Sequence, residues 1–324
     1  MVKAIRIEQY GGPEVMQYVE VDVPAPGPGE ALVRQAACGL NFVDIYYRTG
    51  LYPQPLPGAL GMEAAGVVEA VGADVTHIKP GDRVVYAARP PGAYAEARTM
   101  SAAMLVRLPD GIDFDTAAAA MLQGMTVQYL FRRTFPLRGG ETILFHAAAG
   151  GVGLIACQWA RALGVTMIGT VGSDEKGELA KANGCKHVIN YKRENFTERV
   201  REITDGKGVP VVYDSIGRDT FKGSLDCLAP LGMLVSFGSA SGPVEAFSLN
   251  ELAARDSLYV TRPTLFTHIA QRPVLENMAA ELFGMLESGK VKVNIGQRYA
   301  LRDVAQAHRD LEGRKTTGSA LLIP

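Results

Sequence analysis

The residues best suited to chemistry gather first at a glycine-rich turn, Phe145-His146-Ala147-Ala148-Ala149-Gly150-Gly151-Val152-Gly153, which follows a short apolar run and opens a helical pattern. In the register of a G-x-G-x-x-G fingerprint, Ala148, Gly150 and Gly153 stand at the three glycine positions, and only the first carries a methyl group. Glycine at the second position lets a pyrophosphate touch the backbone, and glycine at the third lets the helix close on the strand. The amides of Gly151 and Val152 then face the phosphates, where the helix dipole favours negative charge. Such a turn can also be purely structural, so its meaning depends on the elements around it.

A second group lies at the end of the next apolar run, VTMIGTV, which closes in Gly172-Ser173-Asp174-Glu175-Lys176. A site for NAD carries an acidic residue at that strand end to bond the ribose 2′-hydroxyl. Here the acidic pair falls beyond the strand, where it starts a helix. Gly172 and Ser173 leave room for a 2′-phosphate, and Lys176, one helical turn on, can neutralise it. Tyr191 offers a second phosphate contact through its hydroxyl, with Lys192 and Arg193 close in sequence. The expectation is therefore NADPH rather than NADH. The competing reading makes Lys176 a solvated helix lysine paired with a nearby glutamate.

The elements that must position these groups follow from the chain's periodicity. From Glu141 onward short apolar runs alternate with helical stretches: ETILFHA, LIACQWARAL, VTMIGTV, EKGELAKAN, HVINY, TERVREI, PVVYDSI, FKGSLDCL and GMLVSFG. That alternation marks βαβ units on a buried parallel sheet, hence an α/β, doubly wound nucleotide-binding domain. The first third instead holds short β segments such as EALVRQAA and AGVVEAV between PAPGPGE, LPGAL and IKPGDRV. It reads as a compact, mainly β domain. An Ala-rich helical stretch around residues 113–130 forms the passage between them. After SLYVTRP and the helix PVLENMAAELFGMLESG, the tail from Lys290 returns to short β segments and is expected to rejoin the first domain. The division is 1–125 with 263–324 against 126–262.

At 324 residues two domains are the default expectation. A formal charge of −1 without blocks of like sign argues against nucleic acid or an anionic membrane as principal partner. No apolar stretch reaches bilayer-spanning length, and a cytoplasmic protein is expected. Cys38, Cys157, Cys185 and Cys227 are far apart, with no C-x-x-C pair. Cys157 and Cys227, both inside apolar helical patterns, read as small core residues in a reducing compartment.

With GGPEV, Asn41-Phe42-Val43-Asp44, GLYP, GMEAAGVVEAVG, GDRVVY, AAAGGVG, VVYDSIG and VSFG in place, the chain resembles the medium-chain dehydrogenase/reductase superfamily, in its quinone oxidoreductase, zeta-crystallin-like branch, nearly end to end. The resemblance implies a GroES-like catalytic domain and a Rossmann domain. The zinc enzymes of that superfamily carry a metal-binding Cys three residues before an Asp, and a Gly-His-Glu later. This chain has Asn41 before Asp44, and Gly61-Met62-Glu63. An amide and a thioether do not complete a tetrahedral N/S zinc site. Without that Lewis acid, alcohol oxidation is disfavoured, and quinones or conjugated enones, which delocalise incoming charge, suit the site better.

By the same resemblance Asn41, Phe42 and Tyr46 line the nicotinamide end, and Thr126 and Tyr129 border the ring. Ser215, Phe237 and Gly238 fall at strand ends on the edge where such sheets bind ligand, a placement that holds without the family. Asn41, Tyr46 and Tyr52 form the catalytic set, the tyrosines as hydrogen-bond or proton donors to the acceptor oxygen. Both tyrosines can equally be walls of an apolar slot. Arg262 and Arg314 could face the cofactor or the slot, but the reading as surface ion pairs weighs more; His146 reads as a buried, hydrogen-bonded histidine, and His77, His187, His268 and His308 show no partner pattern. An enone or alkenal double-bond reductase is the alternative activity. A non-catalytic structural or RNA-binding role is the alternative class, which the even charge disfavours. A homodimer is implied, with SLYVTRP as an edge-pairing strand.

Overall fold

The computed structural model describes residues 1–324 as two compact units: Met1–Met125 with His268–Glu287 and Val293–Pro324, and Thr126–Thr267 with Ser288–Lys292. No helix is long and apolar enough to cross a membrane. All four cysteines are free and buried.

In the first unit the long strand Glu30–Leu40 organises a seven-stranded sheet. Its residues Ala31, Val33, Gln35 and Ala37 are buried at every second position, the period of a strand with one face on a core. It pairs antiparallel with Glu63–Val71 and Ala97–Ser101 and, at its far end, with Ser319–Ile323. Ile295–Ala300 lies parallel to that last strand. The tail thus returns to the early β segments. A smaller sheet joins Val2–Ile7 to Gln17–Val21 and Gly58–Ala59. The helix Phe42–Thr49 leaves the long strand directly, with Asn41 at its N-cap, and is stopped by Gly50 in the left-handed region at φ 81°.

The second unit is a six-stranded parallel sheet in the spatial order His187–Asn190, Thr166–Val171, Thr142–Phe145, Val209–Asp214, Leu228–Ser236, Tyr259–Thr261. Numbered within the sheet this is 3-2-1-4-5-6, the doubly wound order, whose ligand crevice lies outside the carboxyl ends where the order reverses. Its central strands are near-continuous apolar runs, as a sheet covered on both faces requires. Leu144, Ile168, Ile189, Val212 and Leu234 share one core with Phe221 and Leu225 of the helix Phe221–Asp226. Cys227 is the C-cap of that short helix, one residue past its end, because Leu228 already begins the next strand. The expected helix interior there is corrected accordingly.

Candidate active site

The glycine turn sits at the switch point of the parallel sheet. Thr142–Phe145 ends, Ala147 adopts a left-handed φ of 57°, and Gly150 caps the helix Gly151–Ala162. His146 N–H donates to Tyr213 O and Ala148 N–H to Thr170 O, both at 3.0 Å, tying the turn to the strands on either side. A Cβ on Gly153 would lie 2.3 Å from Ala147 O, so the third glycine is required for the helix to sit against the strand. A Cβ on Gly150 would stop at 3.4 Å from the same oxygen, an almost ordinary contact. The protein's own packing therefore does not demand glycine there.

At the end of the second strand, Ser173 caps the helix Asp174–Ala182 by accepting from Lys176 N–H at 3.3 Å. A Cβ on Gly172 would come within 2.6 Å of Tyr191 Oη, which places the phenol directly over this bend. Gly172, Ser173, Lys176 and Tyr191 are thereby brought together. Asp174 is drawn away from the bend: it accepts from Asn190 Nδ2 at 2.8 Å and pairs with Arg193 at 2.7 Å. Arg193, close in sequence to the expected phosphate contacts, is committed to that carboxylate.

Ser215, Phe237 and Gly238 follow the ends of the neighbouring strands Val209–Asp214 and Leu228–Ser236. A Cβ on Gly238 would lie 2.5 Å from Ser215 O, so these two chain segments touch backbone to backbone. Arg262 donates to Ser236 O at 2.9 Å and Gly238 O at 3.1 Å. Arg262 thus clamps the carbonyls at this strand end. Thr126 and Tyr129 are buried at the end of the helix Phe114–Tyr129.

Beneath the turn, buried Asp214 accepts from Ile216 N–H, Gly217 N–H, Thr220 Oγ1 and Ser224 Oγ. Ser224 in turn meets His146 Nε2 at 2.9 Å, and His146 Nδ1 meets Thr170 Oγ1 at 2.9 Å. With Ser224 donating to Asp214, His146 carries its proton on Nε2 and accepts from Thr170. Burial lowers its pKa and the nearby Asp214 only partly opposes this, so the ring is held neutral. His146 braces three strand ends.

In the first unit the two positions that would bind zinc are wired differently. Asn41 Nδ2 donates to Glu63 Oε2 at 2.8 Å, and Gln123 Nε2 donates to Asn41 Oδ1 at 3.1 Å. Ser319 Oγ reaches Gln123 Oε1 at 2.8 Å. Met62 is fully buried. No group of three or more His, Cys, Asp or Glu side chains is assembled to hold a metal ion. An amide already donating to a carboxylate beside a thioether does not fit a zinc site. Tyr46 and Tyr52 meet edge to face, with ring centroids 5.2 Å apart, and Tyr52 N–H donates to Tyr46 O at 3.0 Å. Asn41, Phe42, Tyr46 and Tyr52 thus form one local group on and after a single helix.

Sequence reasoning missed what holds this group. Asp44 Oδ2 accepts from Asn41 N–H at 2.9 Å and from Tyr94 Oη at 2.8 Å. Tyr94 Oη lies 3.5 Å from His308 Nε2, and Arg48 Nη1 lies 3.1 Å from His308 Nδ1. Arg48, 1% exposed, also makes a bidentate pair with Glu312 at 2.7 and 2.9 Å. Arginine can only donate, so His308 carries its proton on Nε2, and the donations run Arg48, His308, Tyr94, Asp44. Burial pushes Asp44 up to about 7 and Glu63 up to about 8, against the hydrogen bonds that favour their ionised forms. Burial, reinforced by the Arg48 charge, takes His308 down to about 3.

Two family models match the chain: an alcohol dehydrogenase GroES-like domain over residues 27–110 and a zinc-binding dehydrogenase domain over residues 151–280. Together they define a two-domain dehydrogenase of the medium-chain type, and the zinc of the second model's name has no fitting donor set here. A quinone oxidoreductase of Pseudomonas aeruginosa is 58% identical over the whole of both chains. The solved structure of Escherichia coli quinone oxidoreductase complexed with NADPH is 51% identical, with a TM-score of 0.98 over 99% of this chain and all of that one. A 2-haloacrylate reductase from a Burkholderia species is 45% identical over all of this chain and 99% of its own length. The chain belongs to the medium-chain dehydrogenase/reductase family, in its quinone oxidoreductase branch.

Proposed function

We propose that this protein is an NADPH-dependent, zinc-independent quinone oxidoreductase. The observation that carries the reading is the bend at Gly172, where Ser173 accepts from the Lys176 backbone N–H, the Tyr191 hydroxyl lies over the glycine, and the first carboxylate after the strand, Asp174, is occupied by Asn190 and Arg193. Such a bend accepts the extra phosphate of NADPH and offers a 2′-hydroxyl no acidic partner. Gly150, whose glycine the fold itself does not require, gives the pyrophosphate access to the amides of Gly151 and Val152. Relatives named quinone oxidoreductase at 58% identity and a neighbour complexed with NADPH support the same reading.

NADPH, when bound, supplies hydride from its nicotinamide C4. In the proposed scheme Asn41, Phe42, Tyr46, Thr126, Tyr129, Ser215, Phe237 and Gly238 border that end of the cofactor. Asn41 has a fixed orientation and one N–H beyond that given to Glu63. Tyr46 and Tyr52 hydrogen-bond the acceptor oxygen. Residues 1–125 with 263–324 form the catalytic domain and 126–262 the cofactor domain. The relative named 2-haloacrylate reductase supports a second reading, reduction of a conjugated double bond. The proposed partner is a second copy pairing along Tyr259–Thr261, an edge strand whose Tyr259 is exposed. A cytoplasmic location suits four free thiols.

Steady-state assays of NADPH and NADH against 1,4-benzoquinone and trans-2-hexenal test the assignment. Faster turnover of the quinone with NADPH is the expected result. Acceptor-independent oxidation alone, or preference for the alkenal, overturns it.

A further inference from the structure

Apart from the residues assigned to the cofactor and the acceptor, the first unit carries a cleft of about 180 Å³ whose lining includes Arg6, Asp22, Pro24, Ala59, Gly92 and Arg98. Arg6, on the strand Val2–Ile7, is half-buried and has neither a hydrogen-bond nor an ion-pair partner. Arg98, on the strand Ala97–Ser101, is held rigidly. Its Nη2 donates to Pro90 O at 3.2 Å, its guanidinium lies 5.6 Å from the centroid of the Tyr86 ring, and a Cβ on Gly92 would stand only 3.0 Å from its central carbon. Its Nη1 is buried with no acceptor. Neither guanidinium has a carboxylate within pairing distance, and the sole acidic side chain in the lining, Asp22, is exposed.

Two arginines facing one cleft without a counter-ion is an arrangement that folding alone disfavours, since each half-desolvated charge raises the cost of the other. Burial, and then the charge of Arg98, lowers the pKa of Arg6, which registers that repulsion. An anion between them would relieve both. The guanidinium fork suits tetrahedral oxyanions, and the cleft has room for one together with several waters, a water taking about 30 Å³. We propose that this cleft is a binding site for a phosphate-type oxyanion, held between Arg6 and Arg98 and distinct from the cofactor-binding residues of the second unit.

Isothermal titration with inorganic phosphate, at ionic strength held constant with chloride, is expected to give saturable binding to the whole protein. Arg6→Gln should weaken it about tenfold or more, as loss of a charge-assisted hydrogen bond implies. Arg98→Lys, which keeps the charge but loses the fork, should also weaken it, and Asp22→Asn should strengthen it. NADPH oxidation by a quinone in phosphate-free buffer should be unchanged in Arg6→Gln, which separates this site from the proposed reaction. Absence of saturable binding, equal binding by Arg6→Gln, acetate binding as tightly as phosphate, or loss of binding in Asp22→Asn would each overturn the proposal.

Discussion

Asn41 Nδ2 lies 2.8 Å from Glu63 Oε2, so the residue standing in place of one zinc ligand is joined by a buried amide-to-carboxylate hydrogen bond to the neighbour of Met62, which stands in place of the other. Glu63 also accepts from the backbone N–H of Leu122. Glu63→Gln confronts one of these donors with a second donor. It should cost about 1–3 kcal/mol, the penalty of an unmade buried hydrogen bond, and lower kcat/KM by loosening Asn41. Thermal melts and steady-state kinetics at one pH check both effects.

Cofactor selectivity should reside at the bend over Gly172. Lys176→Glu is expected to reduce the preference for NADPH over NADH about tenfold or more, on the scale of a lost charge-assisted contact to phosphate. Unchanged ratios of kcat/KM for the two cofactors would remove Lys176 from the site.

Gly172→Ala separates binding from folding. Its new methyl would press on Tyr191 Oη at 2.6 Å, the far end of a side chain that is 40% exposed, rather than on fixed backbone. The melting temperature should hold, while the Kd for NADPH, read by fluorescence quenching, rises several-fold.

Gly153→Ala should behave in the opposite way. The methyl would meet Ala147 O at 2.3 Å, a backbone atom of the turn rather than the end of a flexible side chain, so turn or helix must move. A loss of about 2 kcal/mol or more is expected from such overpacking, measurable by denaturant titration.

His308 makes stability sensitive to acid. Its folded value near 3 lies below the ordinary 6.5, so between those limits the unfolded chain binds the extra proton. The stabilisation from keeping the ring neutral is complete above the unfolded value and is lost as pH falls toward 3. Asp44 works in the other direction, its stabilisation fading as pH rises toward 7. Comparing His308→Gln with the parent chain isolates the histidine. The gap in melting temperature between them should narrow steadily from pH 6.5 down to pH 4.

The architecture of the second unit was readable because each of its signals is local. Apolar runs alternating with helical stretches imply a parallel sheet, and Gly153 carries its reason within six residues, at Ala147 O. The bend at Gly172 was readable for the same cause. The supports of Asn41 were not. His308 looked partnerless because Arg48 lies 260 positions away and Tyr94 214. Ser319 meets Gln123 across 196. Asp44 and Glu63 stood inside quoted motifs, yet nothing in their spacing told that one anchors Asn41 through its backbone and the other through its amide. The carbonyl contacts of Arg262 could not be foreseen, because a clamp on backbone oxygens has no signature in side-chain types.

The place of Ser319–Ile323 between Ile295–Ala300 and Glu30–Leu40 sets an order of assembly during translation. All six strands of the parallel sheet lie between residues 142 and 261, so a nascent chain holds that sheet in full before the partner of Leu40 has been made. The early β segments leave the ribosome first and complete their own sheet last. Until then the Cys38–Leu40 end of Glu30–Leu40 offers its amides and carbonyls without the partner it will have in the finished sheet, an open edge of the kind that chaperones shield.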